Sequence, residues 1–330
     1  MNLKKIALLA TGGTIAGRGV DPTKSTDYRP GMVGVEELLE AVPQITTIAD
    51  IQAEQFANVA SSALSNKNLL DLAKYVNELL AREDMTGVVI THGTDVLEET
   101  AYFLNLVIKS AKPVVIVGSM RPSTAISADG PMNLIEAVRV AVHPDSYDKG
   151  VLVVLNDEIH TARDVTKGNA QRLHTFVSRE LGPIGIITGD RIDYYRVSLR
   201  KHTHQTDFDV TNLTDLPRVD MVTTFIDNDS VAIDAYIAAG AKGIALAAAG
   251  GGALTPGMRT GLQRAMDAGI IMVMSTRTGS GTISSMNPES ISKGLVAAGN
   301  LNPYKARILL AVALAHSNDP KQIQEWFNSY

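Results

Sequence analysis

The sequence predicts an α/β fold, with a larger N-terminal, doubly wound, mostly parallel sheet domain and a smaller C-terminal α/β domain. Short runs rich in valine and isoleucine alternate with segments of helical period, as in parallel sheets that are covered by helices on both faces. The chain has 330 residues, a length at which a single core stops growing. A polar stretch between Lys201 and Asp209 has neither period and separates the two parts.

In the first part, apolar runs predict strands and amphipathic segments predict helices. The segment Asn66–Arg82 is the clearest helix, because its apolar residues recur every three or four positions and form one stripe. Asp129 as N-cap and Pro131 in the first turn predict the start of another helix. The predicted strands are Ile6–Ala10, Ile48–Ala53, Gly87–Ile90, Pro113–Val117, Val151–Leu155 and Ile184–Thr188, and the predicted helices are Gly34–Ala41, Asn66–Arg82, Val96–Lys109 and Pro131–Val142.

The second part repeats the alternation of strand and helix on a smaller scale. We place the N-terminal domain at residues 1–192, a linker at 193–217 and the C-terminal domain at 218–330. The predicted strands there are Met221–Phe225, Gly243–Ala248 and Ile270–Met274, and the predicted helices are Ser230–Ala239, Pro256–Ala268, Pro303–Ala315 and Pro320–Tyr330.

Composition excludes several classes of function. With 30 Lys+Arg against 35 Asp+Glu, the net charge of −5 argues against nucleic-acid and membrane partners, which favour a basic patch. The count of 0 cysteines excludes disulfides, thiolate metal sites and a cysteine nucleophile. The apolar run Ile6–Ala10 is shorter than the roughly 7–15 residues of a secretory signal. We therefore expect a cytoplasmic protein, or a periplasmic one if a leader has been removed.

Candidate site residues follow the predicted strands, because ligands of an open parallel sheet bind beyond the carboxyl ends of its strands. Two hydroxyl groups, a carboxylate and a lysine are expected to meet at this rim, with glycines that let backbone N–H groups approach a ligand. The segments are Thr11–Gly17, Thr91–Asp95, Gly118–Pro122, Asn156–Asp157 and Arg163–Lys167.

The glycine-rich turns have a plainer interpretation as phosphate-binding loops. Thr11–Thr14 lacks both the Walker lysine and the glycine spacing of dinucleotide-binding loops. Gly250–Gly252 opens another turn from strand to helix and is a second candidate for a phosphate loop.

The polar residues also have structural alternatives. Thr94 and Asp95 are typical of a helix cap as well as of a catalytic pair. His92, between an apolar strand and a glycine, is typical of a core histidine with satisfied hydrogen bonds. His202 and His204 alternate in the linker, but the seven histidines form no obvious ligand set for a metal.

Taken together, several long motifs in the same order resemble those of the bacterial L-asparaginase family, and most of all its secreted-type branch. The resemblance spans the whole chain. It implies a small-molecule amide substrate, no metal or organic cofactor, and a homotetramer built as a dimer of intimate dimers, in which the C-terminal domain completes a neighbouring subunit's site. The motifs are Thr11–Gly17, Thr91–Asp95, Gly118–Pro122, Ser127–Pro131, Asn156–Asp157 and Leu301–Arg307.

The resemblance implies that Thr14 is the nucleophile, which attacks a side-chain amide and forms an acyl-enzyme that water releases. Tyr28, on a mobile lid of about residues 18–31, would close over Thr14 and help it to react. Thr94, Lys167 and Asp95 would form a second triad. These roles agree with general chemistry, because a free hydroxyl is a poor nucleophile and a desolvated lysine can serve as its base.

The resemblance also implies a set of substrate-binding residues. Backbone N–H groups near Thr94 and Ser119 would hold the oxyanion, an arrangement worth about 10²–10³ in rate. The substrate-binding residues implied are Gly13, Ser61, Ser62, Gly93, Thr94, Asp95 and Ser119, with Glu289 reaching the site from a partner subunit.

The part of the site that grips the α-amino group departs from the family pattern. The family has Gln or Glu where this chain has Ser62, and Asn where this chain has Ala253. It also sends a Glu from the partner subunit, and gap-free counting over Ser284–Glu289 puts Pro288 at that place, with Glu289 one residue away. A charge-assisted hydrogen bond is worth roughly 1.5–3 kcal/mol, so the loss of two could weaken asparagine binding by about 10²-fold.

Several functions remain open. One is an L-asparaginase with a high KM and weak use of L-glutamine, and another is an amidohydrolase whose substrate carries a sugar or acyl group on its α-nitrogen. A non-catalytic relative is a rival, but it predicts damage among four residues that are intact: Thr14, Thr94, Asp95 and Lys167. A nucleotide-binding enzyme fits the glycine-rich turns but not their spacing.

Overall fold

The computed structural model describes residues 3–284 and 286–330, and the chain forms two compact units, residues 1–206 and 207–330. Met1, Asn2 and Ser285 lie outside the described residues. Ser285 belongs to the segment Ser284–Glu289, which was compared above with the family's partner-subunit glutamate. The sequence-based domain boundaries at 192 and 217 stay a prediction.

The first unit contains twelve described strands and four α-helices. The strands are β1 (Lys5–Gly12), β2 (Arg18–Gly19), β3 (Tyr28–Arg29), β4 (Asp50–Val59), β5 (Met85–Thr91), β6 (Val114–Val117), β7 (Val151–Leu155), β8 (Glu158–Thr161), β9 (Thr166–Lys167), β10 (Phe176–Val177), β11 (Gly185–Thr188) and β12 (Arg191–Tyr194). The helices are α1 (Val35–Glu40), α2 (Asn66–Ala81), α3 (Leu97–Val107) and α4 (Gly130–Val142).

The large sheet has eight strands in the order β12-β11-β8-β7-β6-β5-β1-β4. Its central part, from β4 to β7, is parallel, whereas β8, β11 and β12 add an antiparallel edge. Strand β1 pairs with both β4 and β5, so the direction of winding reverses beside β1. The predicted doubly wound, mostly parallel sheet is therefore confirmed, and its switch point lies between β1 and β5.

Both faces of the central strands are buried, which explains their continuous apolar sequences. One face, with Leu8, Val89 and Leu152, packs against Leu134 and Val138 of α4 in a single core cluster. The alternate residues of the same strands are equally buried, and α2 and α3 pack against β5 and β7. The predicted strand Val151–Leu155 matches its observed limits.

Other predicted limits are shifted or incomplete at the sheet edges. The predicted strand Ile48–Ala53 starts instead at Asp50 and continues to Val59, because this edge strand is half exposed and carries polar residues. Strands β8, β12 and the short pair β9–β10 were not predicted, because all of them are too short or too polar to show a clear period.

The second unit has a separate parallel sheet in the order β13-β14-β15-β16, with helix α8 packed on β13, β14 and β15. The predicted strand Gly243–Ala248 matches its observed limits, whereas β16 and the short helix α7 were not predicted. Its elements are β13 (Val219–Thr223), α5 (Val231–Ala238), β14 (Gly243–Ala248), α6 (Pro256–Asp267), β15 (Ile271–Thr276), α7 (Pro288–Ser292), β16 (Leu295–Ala297), α8 (Pro303–Leu314) and α9 (Pro320–Ser329).

Two carboxyl groups lie close together between helix α4 and the turn that joins β7 and β8. Glu136 is 2% exposed and its Oε2 has no hydrogen-bond partner among the described residues, whereas Asp157 is exposed. Asn156 and Asp157 have φ values of 53° and 64°, as a tight two-residue hairpin turn requires. Burial, together with the neighbouring Asp157, raises the pKa of Glu136 to about 7.

This pair predicts a pH-dependent stability. Between the ordinary pKa of 4.5 and about 7, the folded state binds a proton at Glu136 that the unfolded state has lost, so the free energy of unfolding falls as the pH rises through that window. Glu136→Gln cannot ionise. From pH 5 to pH 8 it should gain about 1–3 kcal/mol of stability relative to wild type, since one pKa unit corresponds to about 1.4 kcal/mol. Chemical denaturation at both pH values measures this change.

Glu83→Gln, at an exposed position, is the matched control and should show no such gain. A stability difference between Glu136→Gln and wild type that is equal at pH 5 and pH 8 would contradict the prediction.

Candidate active site

The candidate site lies at the switch point of the large sheet, where the ends of β1 and β5 are neighbours. Ala10 of β1 is paired with Thr91 of β5, so the turns that follow both strands start side by side. Thr14 begins a single 3-10 turn after β1, and Thr94 follows β5. The parallel order thus brings together two hydroxyl groups that are far apart in the sequence.

A cavity of about 740 Å³ opens beside these turns. Its lining includes all five residues that the resemblance implies to be catalytic. The lining residues are Thr14, Ser25, Thr26, Tyr28, Thr94, Asp95, Met120, Arg121, Asn156, Lys167, Ala170, Gln171, Arg172, Leu173 and His174.

Thr14 and Tyr28 form a hydroxyl pair on one wall of the cavity. The Oγ1 of Thr14 lies 2.7 Å from the phenolic oxygen of Tyr28, and Thr14 is only 7% exposed. Tyr28 lies in the small antiparallel ribbon of β2 and β3. This ribbon is held by backbone hydrogen bonds that the Gly31 N–H donates to the Gly13 carbonyl and the Met32 N–H donates to the Ala16 carbonyl. Segment 18–31 therefore covers Thr14 in this structure.

Thr94, Lys167 and Asp95 form a second group that faces the same cavity. The Nζ of Lys167 donates to the Oγ1 of Thr94 at 2.9 Å and to the Oδ1 of Asp95 at 2.7 Å. The Lys167 side chain is 17% exposed, while that of Asp95 is 70% exposed. Thr94 does not act as a side-chain cap of α3, because Val96 is the N-cap residue and makes no capping hydrogen bond through its side chain.

The backbones of the two turns approach too closely for side chains. A Cβ on Gly13 would lie 2.3 Å from the Cα of Gly93, and the φ of Gly13 is 83°. A Cβ on Gly93 would in turn meet the Oγ of Ser61 at 2.7 Å. Gly13, Gly93 and Ser61 are thus brought together, and the missing side chains leave backbone groups near the ligand space.

The segment 118–121 is shaped by an aspartate. Both carboxylate oxygens of Asp129 accept backbone N–H bonds, from Met120 and from Arg121, each at 2.9 Å. Asp129 is the N-cap residue of α4, as predicted, but it makes no capping hydrogen bond through its side chain, because its carboxylate binds this segment instead. Ser119 is fully buried, and its hydroxyl donates to the Arg121 carbonyl, so only its backbone remains available to a ligand.

The three positions that depart from the family pattern lie at the surface or in turns. Ser62 is exposed in a short 3-10 turn after β4. In the second unit, Ala253 closes a turn by a bridge to Ala249, and Glu289 of α7 forms an ion pair with Lys293 at 2.6 Å. That ammonium, through its hydrogen bond, lowers the pKa of Glu289.

His92 is buried, but only one of its two ring nitrogens has a hydrogen-bond partner among the described residues. Its Nδ1 lies 2.7 Å from the Gly93 carbonyl, whereas Nε2 has no hydrogen-bond partner among the described residues. Burial lowers the pKa of His92 to about 4, so the ring is neutral at pH 7 with its proton on Nδ1. The expectation of a fully satisfied core histidine is thus wrong for Nε2.

Among residues 3–284 and 286–330, no group of three or more His, Asp or Glu side chains is arranged to hold a metal ion. His202 is buried beside Thr203, and His204 faces Asp148 at 3.7 Å.

Met120, Arg121 and Asn156 line the cavity and belong to candidate segments that the sequence predicts, because each follows a strand. Residues 170–174 carried no such signal, because they belong to an irregular connection between β9 and β10.

In the parts of the chain that the structure describes, no helix is both long enough and apolar enough to span a bilayer.

Comparisons with known proteins match both units. The N-terminal asparaginase family model matches residues 5–200, and the glutaminase/asparaginase C-terminal domain model matches residues 218–327. "L-asparaginase 2" of Bacillus subtilis is 52% identical over 100% of this chain and 87% of that protein. "Glutaminase-asparaginase" of Acinetobacter glutaminasificans is 43% identical over 98% of this chain and 99% of its own length. A crystal structure titled "Probable Cytoplasmic L-asparaginase" from Campylobacter jejuni superposes with a TM-score of 0.96 at 44% identity, covering 99% of this chain and 100% of that one.

Proposed function

From the premise that this chain belongs to the asparaginase/glutaminase family, to which both of its domains match, we propose that it hydrolyses the side-chain amide of L-asparagine, giving L-aspartate and ammonia. The observation that carries this proposal is the meeting of two hydroxyl groups with a lysine–carboxylate pair in one cavity. Thr14 is the nucleophile of the proposed reaction.

The first step is acyl transfer to Thr14. Its Oγ1 attacks the amide carbon, the C–N bond breaks, and ammonia leaves with the proton that the hydroxyl has given up. Tyr28, 2.7 Å away, is the nearest group through which this proton can pass. Backbone N–H groups near Thr94 and Ser119 stabilise the oxyanion, since donors aimed at the developing charge are worth about 10²–10³ in rate.

The second step is hydrolysis of the ester by water. The 2.9 Å contact between Lys167 and Thr94 supports a proton path between the site and the lysine through the Thr94 hydroxyl. Asp95 orients that lysine from the other side at 2.7 Å. The water adds its oxygen to the acyl carbon, the ester C–O bond breaks, and the proton returns to Thr14.

The active assembly that we propose is a homotetramer built as a dimer of intimate dimers, with Glu289 of the partner subunit approaching the α-amino group. The N-terminal domain, residues 1–192, carries the chemistry, and residues 218–330 complete the site of a neighbour across the linker 193–217. We propose a cytoplasmic location, on the model of the Campylobacter jejuni protein whose title names that compartment.

L-Glutamine is the second substrate of this proposal, since the Acinetobacter relative is named a glutaminase-asparaginase. Ser62 is exposed and is shorter than the Gln or Glu of the family pattern, so we infer room there for a group on the α-nitrogen. An asparagine with a sugar or acyl group on its α-nitrogen is therefore the alternative substrate.

Ammonia release by the purified protein tests the proposal with a panel of amides. The panel holds L-asparagine, D-asparagine, L-glutamine, N-acetyl-asparagine, a sugar–asparagine conjugate and succinamic acid. L-Asparagine should give the highest kcat/KM, and L-glutamine a value about tenfold or more lower, because one extra methylene is worth about 1–3 kcal/mol. A blocked-amine compound in first place would establish the alternative substrate. No release above that of a Thr14→Val control would reject the amidohydrolase function.

A further inference from the structure

We propose that Glu98 is a positioning residue that holds Lys167 against Thr94 and Asp95. Glu98 lies in the first turn of α3, directly after the turn that carries Thr94 and Asp95, and it is 6% exposed. The inference rests on the proposed function, in which Lys167 moves protons at the site.

One oxygen of the Glu98 carboxylate joins the two halves of the triad. Oε2 accepts a hydrogen bond from the Thr166 hydroxyl at 2.7 Å and another from the Lys167 backbone N–H at 2.6 Å. Bonds to an ionised acceptor are about twice as strong as neutral ones. The lysine backbone is thereby attached to the same helix turn that carries its partners Thr94 and Asp95.

The strand that carries Lys167 is very short. Strand β9 contains only Thr166 and Lys167, and its ladder partner β10 is equally short. A two-stranded pair of this length is not stable alone in water. The two hydrogen bonds that Glu98 accepts therefore help to fix the backbone from which the Lys167 side chain starts.

The position of Glu98 in the helix offsets the free-energy cost of burying a carboxylate. The first turn of a helix favours negative charge, and a buried carboxylate is tolerated where its oxygens accept hydrogen bonds. Glu98 is not among the described residues that line the cavity, so it acts through Lys167 and not on the substrate. A misplacement of about 1 Å in such a group can cost about 10²-fold in rate.

The test measures kcat and KM for L-asparagine in the wild-type chain, in four single variants and in one double variant. Glu98→Gln keeps the shape but removes the charge, and should lower kcat about tenfold or more with KM within about twofold. Thr166→Val removes only the hydroxyl donor and should lower kcat about fivefold, whereas Thr166→Ser keeps the donor and should retain most of the activity. Lys167→Met is the reference variant for the proposed function.

Glu98→Gln combined with Thr166→Val should lose less than the product of the two single losses, because both changes break one arrangement. A purely structural role predicts lower thermal stability in every variant without a selective fall in kcat.

The possible failures are distinguishable. If Lys167→Met keeps its activity, the role of the lysine in the proposed function is wrong. If Lys167→Met is inactive while Glu98→Gln and Thr166→Val keep the wild-type kcat, the role of Glu98 is overturned. Equal losses in Thr166→Val and Thr166→Ser overturn it as well, because the hydroxyl then has no part. If Glu98→Gln does not fold, the two Thr166 variants decide the question alone.

Discussion

Thr14→Val should abolish the release of ammonia from L-asparagine, lowering kcat by about 10⁴-fold or more. Valine keeps the β-branched shape in a position that is only 7% exposed, but it has no oxygen to attack the amide. Removing a nucleophile typically removes all of the covalent catalysis and leaves only the contribution of binding and oxyanion stabilisation. Steady-state assays of ammonia, with the fold checked by thermal unfolding, measure this loss.

Thr14→Ser is the matched control, because it loses only a methyl group and keeps the hydroxyl that lies 2.7 Å from the Tyr28 oxygen in the wild type. It should retain activity within about one or two orders of magnitude of wild type. If Thr14→Val releases ammonia as fast as Thr14→Ser, then Thr14 is not the nucleophile and the acyl-enzyme mechanism fails.

Lys167→Met should lower kcat by about 10³-fold. Methionine follows a similar path through the protein, but it donates no hydrogen bond to Thr94 or Asp95, whose contacts with the Lys167 ammonium are 2.9 and 2.7 Å long. General acid–base catalysis contributes about 10²–10⁴ in rate, and this loss falls within that range. KM should change less than kcat, because the proposed role of the lysine is proton transfer and not substrate binding.

Lys321→Met, in the exposed first turn of α9, is the corresponding control and should leave kcat unaltered. A Lys167→Met variant with kcat within about threefold of wild type would remove the lysine from the reaction and would leave the pair of Thr14 and Tyr28 as the sole proton path.

Local sequence patterns predicted the buried strands well but not the short strands at the edge of the site. Val151–Leu155 and Gly243–Ala248 were predicted with their observed limits, because a strand buried on both faces needs an unbroken apolar run. By contrast, β9 consists of two half-buried residues, and neither a period nor a composition could identify it. Asp129 is the predicted N-cap residue of α4, but its side chain makes no capping bond, because its carboxylate accepts from two backbone N–H groups nine and eight residues earlier.

The sequence by itself determined the α/β class, most of the central strands and the turns that carry the candidate site. Periodicity, glycine positions and long motifs are local properties, and they can be identified in the sequence without the folded structure. Only the tertiary structure decided which residues meet: Thr94 and Lys167, 73 positions apart, are 2.9 Å from each other. Tertiary structure also decided that Glu98 accepts a hydrogen bond from the Lys167 backbone and that Glu136 is buried near Asp157. Hydrogen-bond partners and the burial of charge depend on the three-dimensional path of the whole unit, so no short window of sequence specifies them.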